Sequence, residues 1–145
     1  MSDATFEKVS RSDKTLYGPV KIVLCGFGPT AQLRFITLLK MLNLETVPLV
    51  WAAEAELDNT LADLTSMPGG SGFGKDSKLP RAIIVSGVTE NQLHLLMGAC
   101  KKAGMKNAFW AALTPTSETW TLKALLKELQ LEQKEMAKLR RSKYR

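Results

Sequence analysis

The sequence predicts a single α/β domain built from two strand–helix–strand–helix halves. Short apolar, β-branched runs alternate with apolar residues at helical spacing, and this alternation restarts after a glycine-rich stretch. The chain has 145 residues and is 45% hydrophobic, which suffices for one core without a metal or a disulfide. We expect a mobile leader at residues 1–17 and one domain at 18–145. A glycine-rich loop at 68–80 joins its halves, 18–67 and 81–145.

The first half opens with a buried strand, predicted by the apolar run at residues 20–25. This strand ends at Gly26, and Pro29 suits the first position of the following helix, where a missing N–H costs nothing. The next strand, at residues 46–51, contains Pro48, which cannot donate to a ladder and therefore indicates a sheet edge. A second helix is marked by three leucines at helical spacing: Leu57, Leu61 and Leu64.

The second half repeats this order. A strand at residues 82–86 ends at Gly87, and Thr89 and Gln92 have the spacing of a capping box at the start of the next helix. The fourth strand is predicted at residues 108–113. A long final helix carries one apolar stripe: Leu122, Leu125, Leu126, Leu129, Met136 and Leu139.

The alternation of strands and helices predicts a mainly parallel four-stranded sheet with helices packed on it, in the order 2-1-3-4. Strands one and three are then central neighbours, and their carboxyl ends should form a crevice. The matching strand ends at Gly26 and Gly87 indicate two pseudo-repeats from an internal duplication. A ferredoxin-like α+β arrangement is the alternative fold.

Candidate ligand-binding residues follow these strand ends. Residues 26–31 fit G-x-G-x-x-A between a strand and a helix, where free N–H groups attract phosphate. The nearest acid for a ribose is Glu54, which comes late, and Pro29 removes one N–H, so a tight structural turn is the favoured interpretation. The complete candidate set is Gly26, Gly28, Thr30, Ser86, Gly87, Thr89, Thr114, Thr116 and Trp120.

The glycine-rich loop departs from a phosphate-binding P-loop in two ways. Residues 69–76 nearly match G-x-x-x-x-G-K-[ST], but Asp76 stands where the magnesium-binding hydroxyl belongs. A helix precedes this loop and a strand follows it, which reverses the order of a P-loop. We therefore interpret the segment as a flexible linker.

The histidine and the cysteines form no catalytic or metal-binding set. His94 is the only histidine and falls within a predicted helix, where it is expected to be structural. Cys25 and Cys100 form no C-x-x-C pair and are expected to be buried apolar residues. We therefore expect no metal and no cofactor, and the sequence argues against an enzyme.

The net charge of +6 is concentrated at the C-terminus, where residues 134–145 hold six basic residues and one acid. This tail could contact nucleic acid, although cations also favour a helix C-terminus, and a solvated helix end is the simpler interpretation. No apolar run is long enough to cross a membrane, and the polar start is unlike a signal peptide. These features predict a cytoplasmic location.

The most distinctive stretch follows the fourth strand: Leu113-Thr114-Pro115-Thr116-Ser117-x-x-Trp120-Thr121-Leu122-x-x-Leu125-Leu126-x-Glu128-Leu129. It resembles a small bacterial domain family of unknown function that carries L-T-P-T-[NS]-x-x-W-[TS]-x-x-x-L-L-x-E after a strand–helix–strand unit. The resemblance covers about residues 81–135 and implies no activity. The first half has residues 51–54 in place of the motif, so two equivalent sites are not expected.

These observations favour a non-catalytic binding or regulatory module that works through the turn at residues 114–120 and the neighbouring strand ends. A protein partner or a second copy of the chain is expected at the long C-terminal helix. A nucleotide or another small anionic ligand at the glycine turns is the first alternative. Association with nucleic acid through the basic tail is the second.

Overall fold

The computed structural model describes residues 12–105 and 107–143. The strands are β1 (Lys21–Cys25), β2 (Leu49–Ala52), β3 (Ala82–Ser86) and β4 (Phe109–Ala112). The helices are α1 (Pro29–Met41), α2 (Leu61–Thr65), α3 (Glu90–Lys102) and α4 (Leu122–Lys143). Short 3₁₀ helices at Glu54–Glu56 and Ser117–Thr119 precede α2 and α4, so both halves have the same order of elements. No helix in these ranges is long and apolar enough to cross a membrane.

The four strands form one open sheet in the predicted order, 2-1-3-4. Within each half the two strands are parallel, but β1 and β3 run antiparallel, with Val23 opposite Ile84. The prediction of a mainly parallel sheet is therefore wrong: the sheet is mixed. A helix of 13 residues joins the two strands of each half, as the crossover rule expects, whereas β2 and β3 are joined by α2 and then by the glycine-rich loop. The alternation of elements therefore did not determine the direction of β3.

The glycine-rich loop sets the direction of β3 by its path along the outer edge of β2. The Trp51 N–H donates to the Ser71 carbonyl (2.8 Å), and the Gly70 N–H donates to the Leu49 carbonyl (2.7 Å). The loop therefore runs beside β2 in the direction of that strand. It arrives at the carboxyl ends of β1 and β2 and turns into β3 there, so β3 has to run back antiparallel to β1.

Helices cover both faces of the sheet, which gives two apolar cores. Ile22 and Leu24 of β1 face the layer formed by α1 and α3, whereas Val23 and Cys25 face the layer formed by α2 and α4. All five residues of β3 are buried. A strand covered on both faces needs apolar residues at consecutive positions, which explains the continuous apolar run at Ala82–Val85.

A glycine with positive φ ends each central strand. Gly26 (φ +77°) leaves no space for a side chain, because a Cβ there would lie 2.3 Å from the Leu79 carbonyl oxygen. A Cβ at Gly87 (φ +70°) would lie 2.6 Å from the Gly18 carbonyl oxygen. In both places the backbone that leads into the antiparallel neighbour crosses the strand end. The two glycines correspond, as the sequence suggests, because each permits the same crossing at opposite ends of the sheet.

The described part of the predicted leader, residues 12–17, lies across the turn between β3 and α3. The Leu16 N–H donates to the Val88 carbonyl (2.8 Å), and the Asn91 N–H donates to the Ser12 carbonyl (3.0 Å). These residues are therefore hydrogen-bonded to the domain. The rest of the predicted leader lies outside the described residues.

Replacement of Gly87 by alanine tests the crossing. We expect Gly87→Ala to lower the free energy of unfolding by about 3 kcal/mol, from unfavourable φ and contact with the crossing backbone together. Gly104→Ala is the control, because Gly104 also has positive φ (+86°) but nothing lies within 4 Å of its Cβ position. It should cost only about 1 kcal/mol. Equal losses in urea unfolding would show that the crossing contributes nothing.

Candidate functional site

The direction of β3 separates the candidate residues into two groups. Because β1 and β3 are antiparallel, their carboxyl ends lie at opposite ends of the sheet. The crevice predicted between them therefore does not form. One group follows β1: Gly26, Gly28 and Thr30. The other lies at the end of β3 and after its parallel neighbour β4: Ser86, Gly87, Thr89, Thr114, Thr116 and Trp120.

The turn after β1 is closed by the glycine-rich loop. Gln32, which is completely buried in the first turns of α1, donates its amide hydrogens to the carbonyls of Phe27 (3.0 Å) and Lys75 (2.8 Å). Its Oε1 accepts a hydrogen bond from the Gly74 N–H (2.7 Å). Three hydrogen bonds from one buried side chain thus fasten the loop to the start of the helix.

Two acids lie at this turn: Glu54, from the dinucleotide hypothesis, and Asp76, from the comparison with a P-loop. A Cβ on Gly28, the N-cap residue of α1, would lie 2.9 Å from the Asp76 carboxylate oxygen, so that carboxylate faces the positive end of the helix. Glu54 accepts a hydrogen bond from the Lys78 N–H (3.0 Å), and this bond is the main cause of its lowered pKa. A carboxylate beside the helix start would repel a phosphate. The geometry therefore does not favour a phosphate at Gly26–Ala31.

The turn after β3 uses its polar groups within the chain. The Gln92 N–H donates to Thr89 Oγ1 (3.1 Å), and the Thr89 N–H donates to Gln92 Oε1 (2.9 Å), so the predicted capping box is confirmed. Ser86 is buried, and its hydroxyl donates to the Tyr17 carbonyl (3.4 Å). The strap at residues 12–17 covers this turn.

The turn at residues 114–120 is held together by its own hydroxyl groups. The Ser117 N–H donates to Thr114 Oγ1 (2.9 Å), and the Thr114 N–H donates to Ser117 Oγ (3.0 Å). Tyr17 donates its hydroxyl to Glu118 (2.9 Å), which raises the pKa of Tyr17 and ties the N-terminal strap to the turn. Thr116 and Trp120 remain exposed.

The starts of α2 and α4 bind each other reciprocally. The Leu61 N–H donates to the Trp120 carbonyl (2.9 Å), and the Leu122 N–H donates to the Asn59 carbonyl (2.9 Å). Between these bonds, the residues Thr60 and Thr121 form an isolated antiparallel bridge. We call this pair of helix starts the threonine bridge. Reciprocal contacts of this kind are typical of two-fold related units.

Each threonine of the bridge also caps its helix. Thr60 Oγ1 accepts from the Asp63 N–H (3.1 Å), and Thr121 Oγ1 accepts from the Ala124 N–H (3.1 Å). The counterpart of Trp120-Thr121-Leu122 in the first half is therefore Asn59-Thr60-Leu61. Sequence reasoning missed this pair by placing residues 51–54 opposite the motif. The available signal was the Thr-Leu dipeptide shared by both helix starts.

The two cysteines are buried and chemically quiet. Burial raises the pKa of the Cys25 thiol to about 12, with smaller contributions from Glu54 and Glu56. Burial alone raises the pKa of Cys100 to about 11. The thiolate is the reactive form, so neither cysteine is suited to act as a nucleophile at neutral pH. Residues 12–105 and 107–143 contain no group of three or more His, Cys, Asp or Glu side chains that could hold a metal.

The predicted stripe of α4 is buried at its start and exposed at its end. Leu122, Leu125 and Leu126 lie in the core. On the same stripe Met136 and Leu139 are 54% and 65% exposed, and every side chain from 130 to 141 except half-buried Ala137 is exposed. The helix therefore continues as an uncovered amphipathic segment, and its residues 130–143 are called the α4 extension below.

One family model matches part of the chain. The model of a domain of unknown function, DUF3783, matches residues 81–136. This range contains β3, α3, β4, the turn at residues 114–120 and more than half of α4. It agrees with the expected resemblance to a small family of unknown function, and it supplies no activity. No curated protein and no solved structure gives a significant match.

The raised thiol pKa values predict that the folded protein resists thiol reagents. At pH 8 we expect a disulfide reagent to label neither Cys25 nor Cys100 until the chain unfolds in urea, because the folded state holds both as buried thiols. The variants Cys25→Ser and Cys100→Ser assign any signal to one residue. Rapid labelling of Cys25 in the native protein would contradict its assignment as a structural core residue.

Removal of one cap tests the threonine bridge. Thr121→Ala should lower the free energy of unfolding by about 1 kcal/mol, since it leaves the Ala124 N–H without its acceptor. The matched control is Thr119→Ala, which removes an exposed hydroxyl of the same turn and should stay within about 0.5 kcal/mol of wild type. Denaturant titration of both variants distinguishes the cap from a general effect of losing a hydroxyl.

Proposed function

We propose that this protein is a non-catalytic interaction module whose binding element is the α4 extension and whose partner there is a second copy of the chain. The observation that carries the proposal is the exposed continuation of the core stripe through Met136 and Leu139. An apolar stripe that leaves its own core is stabilised when another helix covers it. The buried cysteines and the Glu54 carboxylate, which holds the glycine-rich loop, support a non-catalytic role.

The charges of α4 favour antiparallel pairing of two copies. Within the α4 extension the first turns carry Glu132 and Glu135 together with Lys134, and the turns that follow carry Lys138, Arg140 and Arg141 and no acid. In an antiparallel pair centred near Met136, Glu132 of one helix lies beside Arg140 of the other. A parallel pair would instead bring the two basic ends together, where they repel.

The two alternative ligands, nucleic acid and a nucleotide, would bind the basic surface of α4 and the glycine turns. Lys134, Arg140 and Arg141 line one shallow surface of α4, where nucleic acid would compete with the second copy. A nucleotide at the glycine turns stays a prediction that the position of Asp76 does not favour. Two separate, buried cysteines suit a reducing compartment, which supports a cytoplasmic location as part of the proposal.

We also propose that the two halves arose by internal duplication. The support comes from three correspondences: the same order of elements, the crossings at Gly26 and Gly87, and the caps Thr60 and Thr121. The sequence pattern alone would follow from any strand–helix alternation. The reciprocal bonds of the threonine bridge are harder to explain without a common origin.

Light scattering on the full chain tests the α4 proposal. We expect a dimer at micromolar concentration, and we expect the chain without residues 130–145 to be a folded monomer. Met136→Gln/Leu139→Gln should raise the dissociation constant at least about a hundredfold, because four apolar side chains leave one interface. Leu131→Gln is the control: Leu131 is 47% exposed, but helical spacing places it off the stripe.

Two outcomes would overturn the proposal. A monomeric full chain would show that a second copy does not cover the α4 extension. A dimer that survives truncation, or that Leu131→Gln weakens as strongly as the double variant does, would place the interface elsewhere.

A further inference from the structure

A second surface, separate from the α4 extension, lies at the open edge of the sheet. The glycine-rich loop covers the β2 edge through its hydrogen bonds to Leu49 and Trp51. In the part of the chain that the structure describes, no strand pairs with the outer edge of β4. The sheet therefore has one covered edge and one open edge.

The open edge presents a regular set of backbone groups. The Phe109 N–H donates inward to the Arg81 carbonyl just before β3, and the Leu113 N–H donates to the Val85 carbonyl within β3 (both 2.9 Å). Because alternate residues of a strand bond to opposite sides, the N–H and C=O groups of Trp110 and Ala112 point away from β3. β4 contains no charged residue and no proline, the devices that commonly protect an edge against pairing.

A groove of about 490 Å³ runs between α3 and β4, beside this edge. Its lining is mostly apolar: His94, Met97, Gly98, Lys101, Met105, Ala108 and Trp110. A strand added next to β4 would direct alternate side chains to the α3 face of the sheet, where this groove lies. The flexible thioethers of the two methionines suit side chains of varied shape.

Gly98 keeps this groove open. It lies within α3, where glycine is less favourable than alanine, and a Cβ there would meet nothing within 4 Å. Packing therefore does not require a glycine at this position. A larger residue would fit the helix but would extend into the groove.

The charge around the groove indicates what occupies it. None of the described residues that line the groove is acidic. Lys101 lines the groove, and Lys102 is exposed beside it. A second copy would bring the same positive charge, whereas an acidic segment would complement it. We propose that the β4 edge and this groove bind an extended acidic segment of a partner protein, which adds to the sheet as a fifth strand.

Synthetic peptides test this site on the full chain. The probe is a heptapeptide with Val, Leu and Val at alternate positions and Glu at the other four. We expect it to shift the amide resonances of Trp110 and Ala112 and to slow their hydrogen exchange. A peptide with Lys in place of Glu should bind at least about tenfold more weakly, because it loses charge complementarity. A peptide with alternate backbone amides methylated should lose binding, because it cannot pair with the edge.

A matched pair of variants distinguishes an effect on peptide binding in the groove from an effect on the stability of the fold. Gly98→Leu should abolish binding of the Glu peptide while raising the melting temperature, because leucine fills the groove and favours the helix. Gly98→Ala should raise the melting temperature similarly and retain binding. Three results would overturn the proposal: no binding of the Glu peptide, undiminished binding to Gly98→Leu, or protection of Trp110 and Ala112 that grows with protein concentration without peptide. The last would make a second copy the occupant.

Discussion

The antiparallel pairing of β1 with β3 is the constraint on which the rest of the structure depends. It places the carboxyl ends of the two central strands at opposite ends of the sheet, so each strand end meets the backbone that leads into its neighbour. Gly26 and Gly87 permit those crossings, because a side chain at either position would collide with the crossing backbone. The same pairing prevents a shared ligand crevice between β1 and β3. The segment that leads into β3 covers the turn at Gly26, and the segment that leads into β1 covers the turn at Gly87.

The threonine bridge completes this arrangement on one face of the sheet. The turn at residues 114–120 places the Trp120 carbonyl and Thr121 beside the start of α2, where the carbonyl accepts a hydrogen bond and Thr121 pairs with Thr60. Asn59 makes the equivalent contact with the start of α4. The most distinctive sequence of the chain therefore has a structural explanation. Its hydroxyl groups bind one another and the backbone. The two proposed binding surfaces lie elsewhere, on parts of the second half that the first half does not share.

Local signals made much of the fold predictable from the sequence. The strand at residues 82–86, the edge position of the strand with Pro48 and the capping box at Thr89 depend on neighbouring residues, and the structure has all three. The direction of β3 depends on the route of the glycine-rich loop. That route rests on contacts such as Gln32 with Gly74, 42 residues apart, which no local pattern encodes. The candidate site separated into two groups for the same reason.

The differences between the halves concentrate the uncovered surfaces in the second. After α2, a helix of five residues, the chain turns back and covers the β2 edge. The corresponding helix α4 has 22 residues, and beyond the position where α2 ends it continues as a helix away from the core. One change of path thus leaves both the β4 edge unpaired and the α4 stripe exposed. An unpaired edge and an exposed apolar stripe both favour association. The two proposed binding surfaces therefore follow from a single departure from the symmetry of the core.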